Sequence, residues 1–164
     1  MTMQFAGSAL VIGILATAIL DLVMAGRQYF LGLAAPDYAL VGRWIAGMPR
    51  GYFVQAVSKA PPVAGEGIIG WTAHYVIGAS FASLLPAIFG LDWVRHPALL
   101  PALAIGLGGV IAPFFVMQPG MGLGIAAGRT PNPWAARRRS LLAHLVFGLG
   151  LYAGGWAARL LFSP

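Results

Sequence analysis

An all-α membrane fold, four transmembrane helices in an up-down bundle, follows from the scarcity of charge, the length of the apolar runs and the placement of arginine. Hydrophobic residues make up 59% of the 164 positions and charged residues 9%, against about 25% charged in a soluble domain. A domain this small exposes much of its chain, so lipid is the medium that suits most of this surface. One domain over residues 1–164 is expected. The absence of cysteine excludes disulfides, thiolate metal sites, iron–sulfur clusters and cysteine nucleophiles. The net charge of +6 is read as a topology signal rather than as nucleic-acid binding.

Four apolar stretches, at 4–25, 68–89, 98–117 and 141–162, approach or exceed the ~20 residues that cross ~30 Å of hydrocarbon. Lipid offers backbone groups no partner, and the alternation of a β-barrel is missing, so helices are required. The first stretch lacks a basic n-region and is long for a signal peptide, so a retained helix is expected. Segment 26–67 holds Arg27, Arg43, Arg50 and Lys59, and segment 118–140 holds Arg129, Arg137, Arg138 and Arg139. The opposite side has Arg95 and Arg159. This bias places both longer loops in the cytoplasm and the termini and the Asp92–Arg95 turn on the opposite side, which is the periplasm if the membrane is a bacterial inner membrane.

The loops carry local signals. Pro36 and Asp37 open a helix, and Leu40, Val41, Trp44, Ile45 and Met48 share a face, as suits a short interfacial helix. Asn132 as N-cap with Pro133 at the first helical position starts helix four. Pro113 removes a backbone bond and kinks helix three near Gly109. An internal echo pairs Ala73-His74-Tyr75-Val76-Ile77-Gly78 with Ala143-His144-Leu145-Val146-Phe147-Gly148, and Ile12-Gly13 with Ile105-Gly106. A 2+2 parallel repeat and coincidence among apolar letters both account for it.

Ionisable groups inside a span cost ~2.5–3.5 kcal/mol even on lenient scales, so each needs a reason. Asp21, His74 and His144 fall at a similar expected depth, ~5–9 Å below the cytoplasmic boundary, and Gln118 closes helix three there. Gly13, Thr17 and Asp21, spaced by four, form one stripe, and Gly78 and Gly148 lie one turn beyond the histidines. The layer has a structural reading, in which these groups bond one another and lock the bundle, and three functional ones. It could handle a proton or small polar solute, hold haem between His74 and His144, or hold a metal on two histidines and Asp21. No resident metal or cofactor is the leading expectation.

Other signals carry less. Gly122 to Ala127 fits a Gly-x-Gly-x-x-Ala pattern but follows a helix, not a strand, so a flexible or partly re-entrant loop is expected instead of a dinucleotide site. Arg137, Arg138 and Arg139 suit a topology determinant or a contact with anionic lipid headgroups. No serine or lysine has a base beside it, and Glu66 lacks an acidic partner, so an enzyme is not the leading expectation.

The run Pro36-Asp37-Tyr38-Ala39-Leu40-Val41-Gly42-Arg43-Trp44, the Met48-Pro49-Arg50-Gly51 turn, Gly70-Trp71-x-Ala73-His74-Tyr75, Val116-Met117-Gln118-Pro119 and Arg129-Thr130-Pro131-Asn132-Pro133 resemble a bacterial family of four-helix inner-membrane proteins catalogued as a domain of unknown function. The resemblance covers nearly the whole chain and implies an inner-membrane location, but brings no activity, substrate or cofactor. It draws Arg43, Arg50, Arg129 and Asn132 to the cytoplasmic mouth, above Asp21, His74, Gln118 and His144. The expected role is small-solute or proton handling through that polar pocket, alone or as a homo-oligomer. The alternative is a structural subunit of a larger membrane complex.

Overall fold

The computed structural model describes residues 2–162. The chain is all-helical, with no β-strand among the described residues. Helix α1 spans Thr2–Leu31, α2 Tyr38–Gly47, α3 Glu66–Arg95, α4 Leu99–Gly108, the single turn α5 Gln118–Gly120, and α6 Pro133–Phe162. Four stretches, Met3–Leu31, Glu66–Arg95, Leu99–Gly120 and Pro133–Phe162, are long and apolar enough to cross a membrane. A 30-residue helix is about 45 Å long, so α1, α3 and α6 exceed the hydrocarbon thickness of ~30 Å. They continue past the expected spans because the flanking turns stay helical.

The chain separates into two compact units. The bundle unit comprises Met1–Ala35, Tyr75–Gly109 and Leu142–Pro164, and the loop unit Pro36–His74 and Val110–Leu141. Helices α3 and α6 contribute to both.

In the bundle unit the helices meet through small residues, which let backbones approach where lipid supplies no hydrophobic drive. The Gly13–Thr17–Asp21 stripe of α1 faces α3. A Cβ at Gly13 would land on the Ala79 backbone, one at Gly78 would land on the Thr17 hydroxyl, and Tyr75 donates a hydrogen bond to Asp21 at 3.1 Å. Numbers fall on one helix as they rise on the other, so α1 and α3 run antiparallel. Gly150 and Gly154 of α6 sit against the backbone of Ala16 and Ile12, and Gly106 of α4 against Gly148 of α6. Gln4 donates to the Phe162 carbonyl at 2.9 Å, so the first and last helices end side by side. Gly13 and Gly106, equivalent in the internal echo, each mark a crossing with the helix that carries Gly78 or Gly148. Ile12, Ala16, Leu20, Ala82, Leu85, Ala102 and Leu151 lie in the core between these crossings.

Helix breaks have local causes. Gly90 takes a left-handed φ of 73° and interrupts α3, one residue past the expected end of the second span. Near the kink expected from Pro113 the regular α-helix is interrupted: α4 stops at Gly108, and Pro113–Met117 forms a π-helical turn. Proline has no N–H to give the carbonyl four residues back, which frees the chain to widen there.

In the loop unit, Asp37 caps α2 by accepting from Ala39 N at 3.0 Å, and Asn132 caps α6 by accepting from Ala135 N at 3.0 Å, both at the expected positions. Helix α2 packs on the start of α3. A Cβ at Gly42 would fall on the Glu66 carbonyl and one at Gly70 on the Tyr38 carbonyl. Gln55 N donates to the Gly120 carbonyl at 2.9 Å, and Trp44 Nε1 donates to the Phe53 carbonyl at 2.9 Å. These bonds hold the segment after Gly51 in place.

The glycine-rich run, expected as a flexible or partly re-entrant loop, makes several hydrogen bonds. Leu123 N bonds the Gln118 carbonyl and Arg129 N the Leu123 carbonyl, both at 2.8 Å. Ala126 and Ala127 are held at φ of 46° and 59°, a left-handed conformation that costs a non-glycine residue roughly 1–2 kcal/mol. Their carbonyls accept from Arg137 Nε and Thr130 Oγ1, each at 2.8 Å.

Candidate functional site

Arg43 organises the loop unit. Helix α2 aims it at the first turn of α3, where Glu66 accepts twice, from Nε at 2.8 Å and from Nη2 at 2.7 Å. Nη1 donates to the carbonyls of Val57 at 3.0 Å and Ala60 at 2.9 Å. Glu66 also reaches back to accept from Val63 N at 2.8 Å. The two side chains are only 12% and 16% exposed, a setting in which a bidentate arginine–carboxylate pair is short and directional. The hydrogen bond to Glu66 pushes the Arg43 guanidinium further above its already high ordinary value. Arg43 thus ties α2, the 57–60 turn and the start of α3 into one piece.

Beside this pair lies a half-open cavity of about 370 Å³, lined by Arg43, Gly47, Arg50, Tyr52, Gln55, Ala60, Pro61 and Val63. Arg50 reaches it from the turn after α2, which closes at Gly51 with a left-handed φ of 84°. Pro61 and Val63 form the apolar wall ahead of α3. Gln55 spans from the opposite wall, its Nε2 3.4 Å from the Arg43 carbonyl.

The eight sequence candidates fall in both units. Arg43 and Arg50 share the cavity. His74, Gln118, Arg129 and Asn132 belong to the loop unit but do not line it, and Asp21 and His144 belong to the bundle unit. Several have local contacts. The His74 ring stacks on Tyr38 with centroids 4.0 Å apart and meets the edge of Trp71 at 5.9 Å. Gln118, 7% exposed, donates to Ser140 at 3.2 Å, and its Oε1 has no hydrogen-bond partner among the described residues. Asn132 is spent on the cap of α6, and Arg129 packs over Gly124. Among the described residues no three His, Asp or Glu side chains converge as a metal site would need, so the two-histidine-and-Asp21 metal reading has no support. The haem reading draws none from the stacking of His74.

Asp21 and Tyr75 form a polar contact between α1 and α3. Tyr75→Phe is expected to lower bundle stability by ~0.6 kcal/mol, the average for hydrogen bonds between membrane helices, measured by equilibrium unfolding in mixed micelles. A loss several times larger would mean that Asp21 has a role beyond this packing contact.

Sequence reasoning passed over Tyr52 and Gln55, weighed Glu66 only as a catalytic acid and quoted Tyr75 only within motifs. Glu66 had a signal: with Asp37, it is one of two acids in a loop that carries four basic residues, so an ion pair was to be expected. Nothing comparable marks Tyr52 or Gln55, which reach the cavity through the path of the loop.

A family model described as "Protein of unknown function (DUF2938)" matches residues 10–158. The chain belongs to the DUF2938 family. Comparison of this DUF2938 protein with curated proteins finds no match, and comparison with solved structures finds none. The Arg43–Glu66 junction and its cavity lie within the matched range, but the family description assigns them no role.

Proposed function

We propose that this DUF2938 protein sits in the bacterial inner membrane with its termini in the periplasm, and receives a small solute in the Arg43–Arg50 cavity at its cytoplasmic face. The observation that carries the reading is the cavity itself. About 370 Å³ falls in the range of small-molecule sites, which combine apolar walls with a few placed polar groups. The Arg43–Glu66 junction holds one wall rigid, as a preformed site requires.

Charge placement supports the orientation. Arg43, Arg50, Lys59, Arg129, Arg137, Arg138 and Arg139 lie in the loop unit, and Arg27, Arg95 and Arg159 in the bundle unit. Basic residues collect on cytoplasmic segments. Exposed Arg138 and Arg139 suit anionic headgroups there, whereas Arg137 is turned into the glycine-rich loop.

Native mass spectrometry of the gently purified full chain tests the reading. The expected result is a retained small-molecule adduct that disappears in Ala60→Trp, where the indole fills the cavity. An adduct unaffected by Ala60→Trp overturns the site. A preparation with no adduct but a stoichiometric protein partner supports the subunit alternative instead.

A further inference from the structure

We infer that the ligand of the Arg43–Arg50 cavity is a monoanion with an apolar body, its charged group held by Arg50. The inference rests on the solute-binding reading above and deepens it. The charge balance of the cavity wall is the argument. Two guanidinium groups line it, but they are not equivalent. Arg43 has its charge matched by Glu66 and commits Nε, Nη1 and Nη2 to Glu66 and the carbonyls of Val57 and Ala60. A guanidinium carries five N–H donors, and Arg43 spends four, so it is a strut rather than a ligand group.

Arg50 is the opposite case. It is exposed at the rim, and no hydrogen bond or ion pair engages its side chain among the described residues. No carboxylate lines the cavity, so a cationic solute would find no counter-charge. A dianion would meet one uncompensated guanidinium and leave its second charge unmatched. One carboxylate or phosphodiester fits the planar fork of a single arginine. Tyr52 and Gln55 offer neutral hydrogen-bonding groups beside it, while Gly47, Ala60, Pro61 and Val63 give an apolar surface to the rest of the ligand.

That chemistry has two sources at a membrane: a free organic acid with a hydrocarbon or aromatic body, and the phosphodiester end of an anionic phospholipid. Both are monoanions joined to apolar matter, and the test separates them.

The full-length protein, purified in neutral detergent, is titrated with benzoate, benzamide, phthalate and benzylamine, with binding read by calorimetry. In parallel, it is placed in nanodiscs of phosphatidylcholine with and without phosphatidylglycerol, with binding read by the thermal midpoint. Benzoate is expected to bind at least about tenfold tighter than benzamide, as for hydrogen bonds to a charged group, and tighter than phthalate or benzylamine. Arg50→Gln is expected to erase that preference while leaving the ligand-free midpoint unchanged. If phosphatidylglycerol raises the midpoint in an Arg50-dependent way and benzoate does not bind, the monoanion stands and its source is lipid. Benzamide or phthalate binding as tightly as benzoate overturns the charge class but leaves solute binding intact. Silence from all four compounds and from phosphatidylglycerol, in a protein whose midpoint shows it folded, overturns both readings. A benzoate preference that survives Arg50→Gln overturns the assignment to Arg50.

Discussion

Replacing Arg43 with alanine is expected to open the loop unit, with protease cleavage between residues 52 and 63 accelerating at least about tenfold, because cleavage follows the population of the open form. The substitution removes the guanidinium from three acceptors at once: the carbonyls of Val57 and Ala60, and the Glu66 carboxylate, which keeps only the Val63 N–H. Buried acceptors left without donors lose more than the net value of the bonds that satisfied them. Arg43→Lys is expected to rescue little, since an ammonium cannot serve a bidentate carboxylate and two carbonyls from one planar group. Adding Glu66→Gln to Arg43→Ala removes the stranded charge but not the stranded carbonyls, so recovery should be partial. Arg50→Gln, a surface change, should stay within ~0.5 kcal/mol of the parent protein. Limited proteolysis of all four, in one detergent, checks the series. Equal cleavage of Arg43→Ala and Arg50→Gln would remove Arg43 from its structural role.

Gly70→Ala is expected to cost ~3 kcal/mol, the upper end of the overpacking range. A methyl group there would fall on the Tyr38 carbonyl, and Gly42 N lies 3.1 Å away. Both obstacles are backbone, which cannot turn aside as a side chain tip can. Gly42→Ala meets the same obstruction from the other helix, with Gly70 N at 2.7 Å. Gly67→Ala is the control one turn earlier. Nothing lies within 4 Å of its added methyl, and alanine is the better helix former, so a gain of ~0.5–1 kcal/mol is expected. Thermal unfolding of the three variants measures the contrast. Similar midpoints for Gly67→Ala and Gly70→Ala would mean that α2 does not depend on close packing against α3.

These results bear on what the amino acids announce before they fold. The caps at Asp37 and Asn132 were legible because a cap needs only a side chain two or three residues from the N–H it serves. The break near Gly109 was legible because a proline denies one particular hydrogen bond. The stripe of Gly13, Thr17 and Asp21 was legible because helical spacing puts every fourth residue on one face. That Ala79, Gly78 and Tyr75 would be its partners was not legible. Depth counting placed Asp21, His74, Gln118 and His144 at one height along their helices, and height does not give the direction in which a side chain points. His74 turns to Tyr38 and Trp71, and Asp21 to Tyr75, contacts that height alone could not select.

Amino-acid order alone determined that the chain is helical, that four stretches suffice to cross a membrane, where the caps at Asp37 and Asn132 fall, and on which segments positive charge accumulates. All of these depend on interactions within about one helical turn or on summed transfer energies, and both can be read along the chain. Tertiary structure decided that Arg43 would meet Glu66, 23 residues away, and that Arg50, seven residues further along α2 and its turn, would be left at a cavity rim. Every arginine has the same charge and reach. Which one becomes a strut and which stays available depends on where the contact of Gly42 with Gly70 holds α2, and so on which carboxylate and carbonyls come within hydrogen-bonding distance.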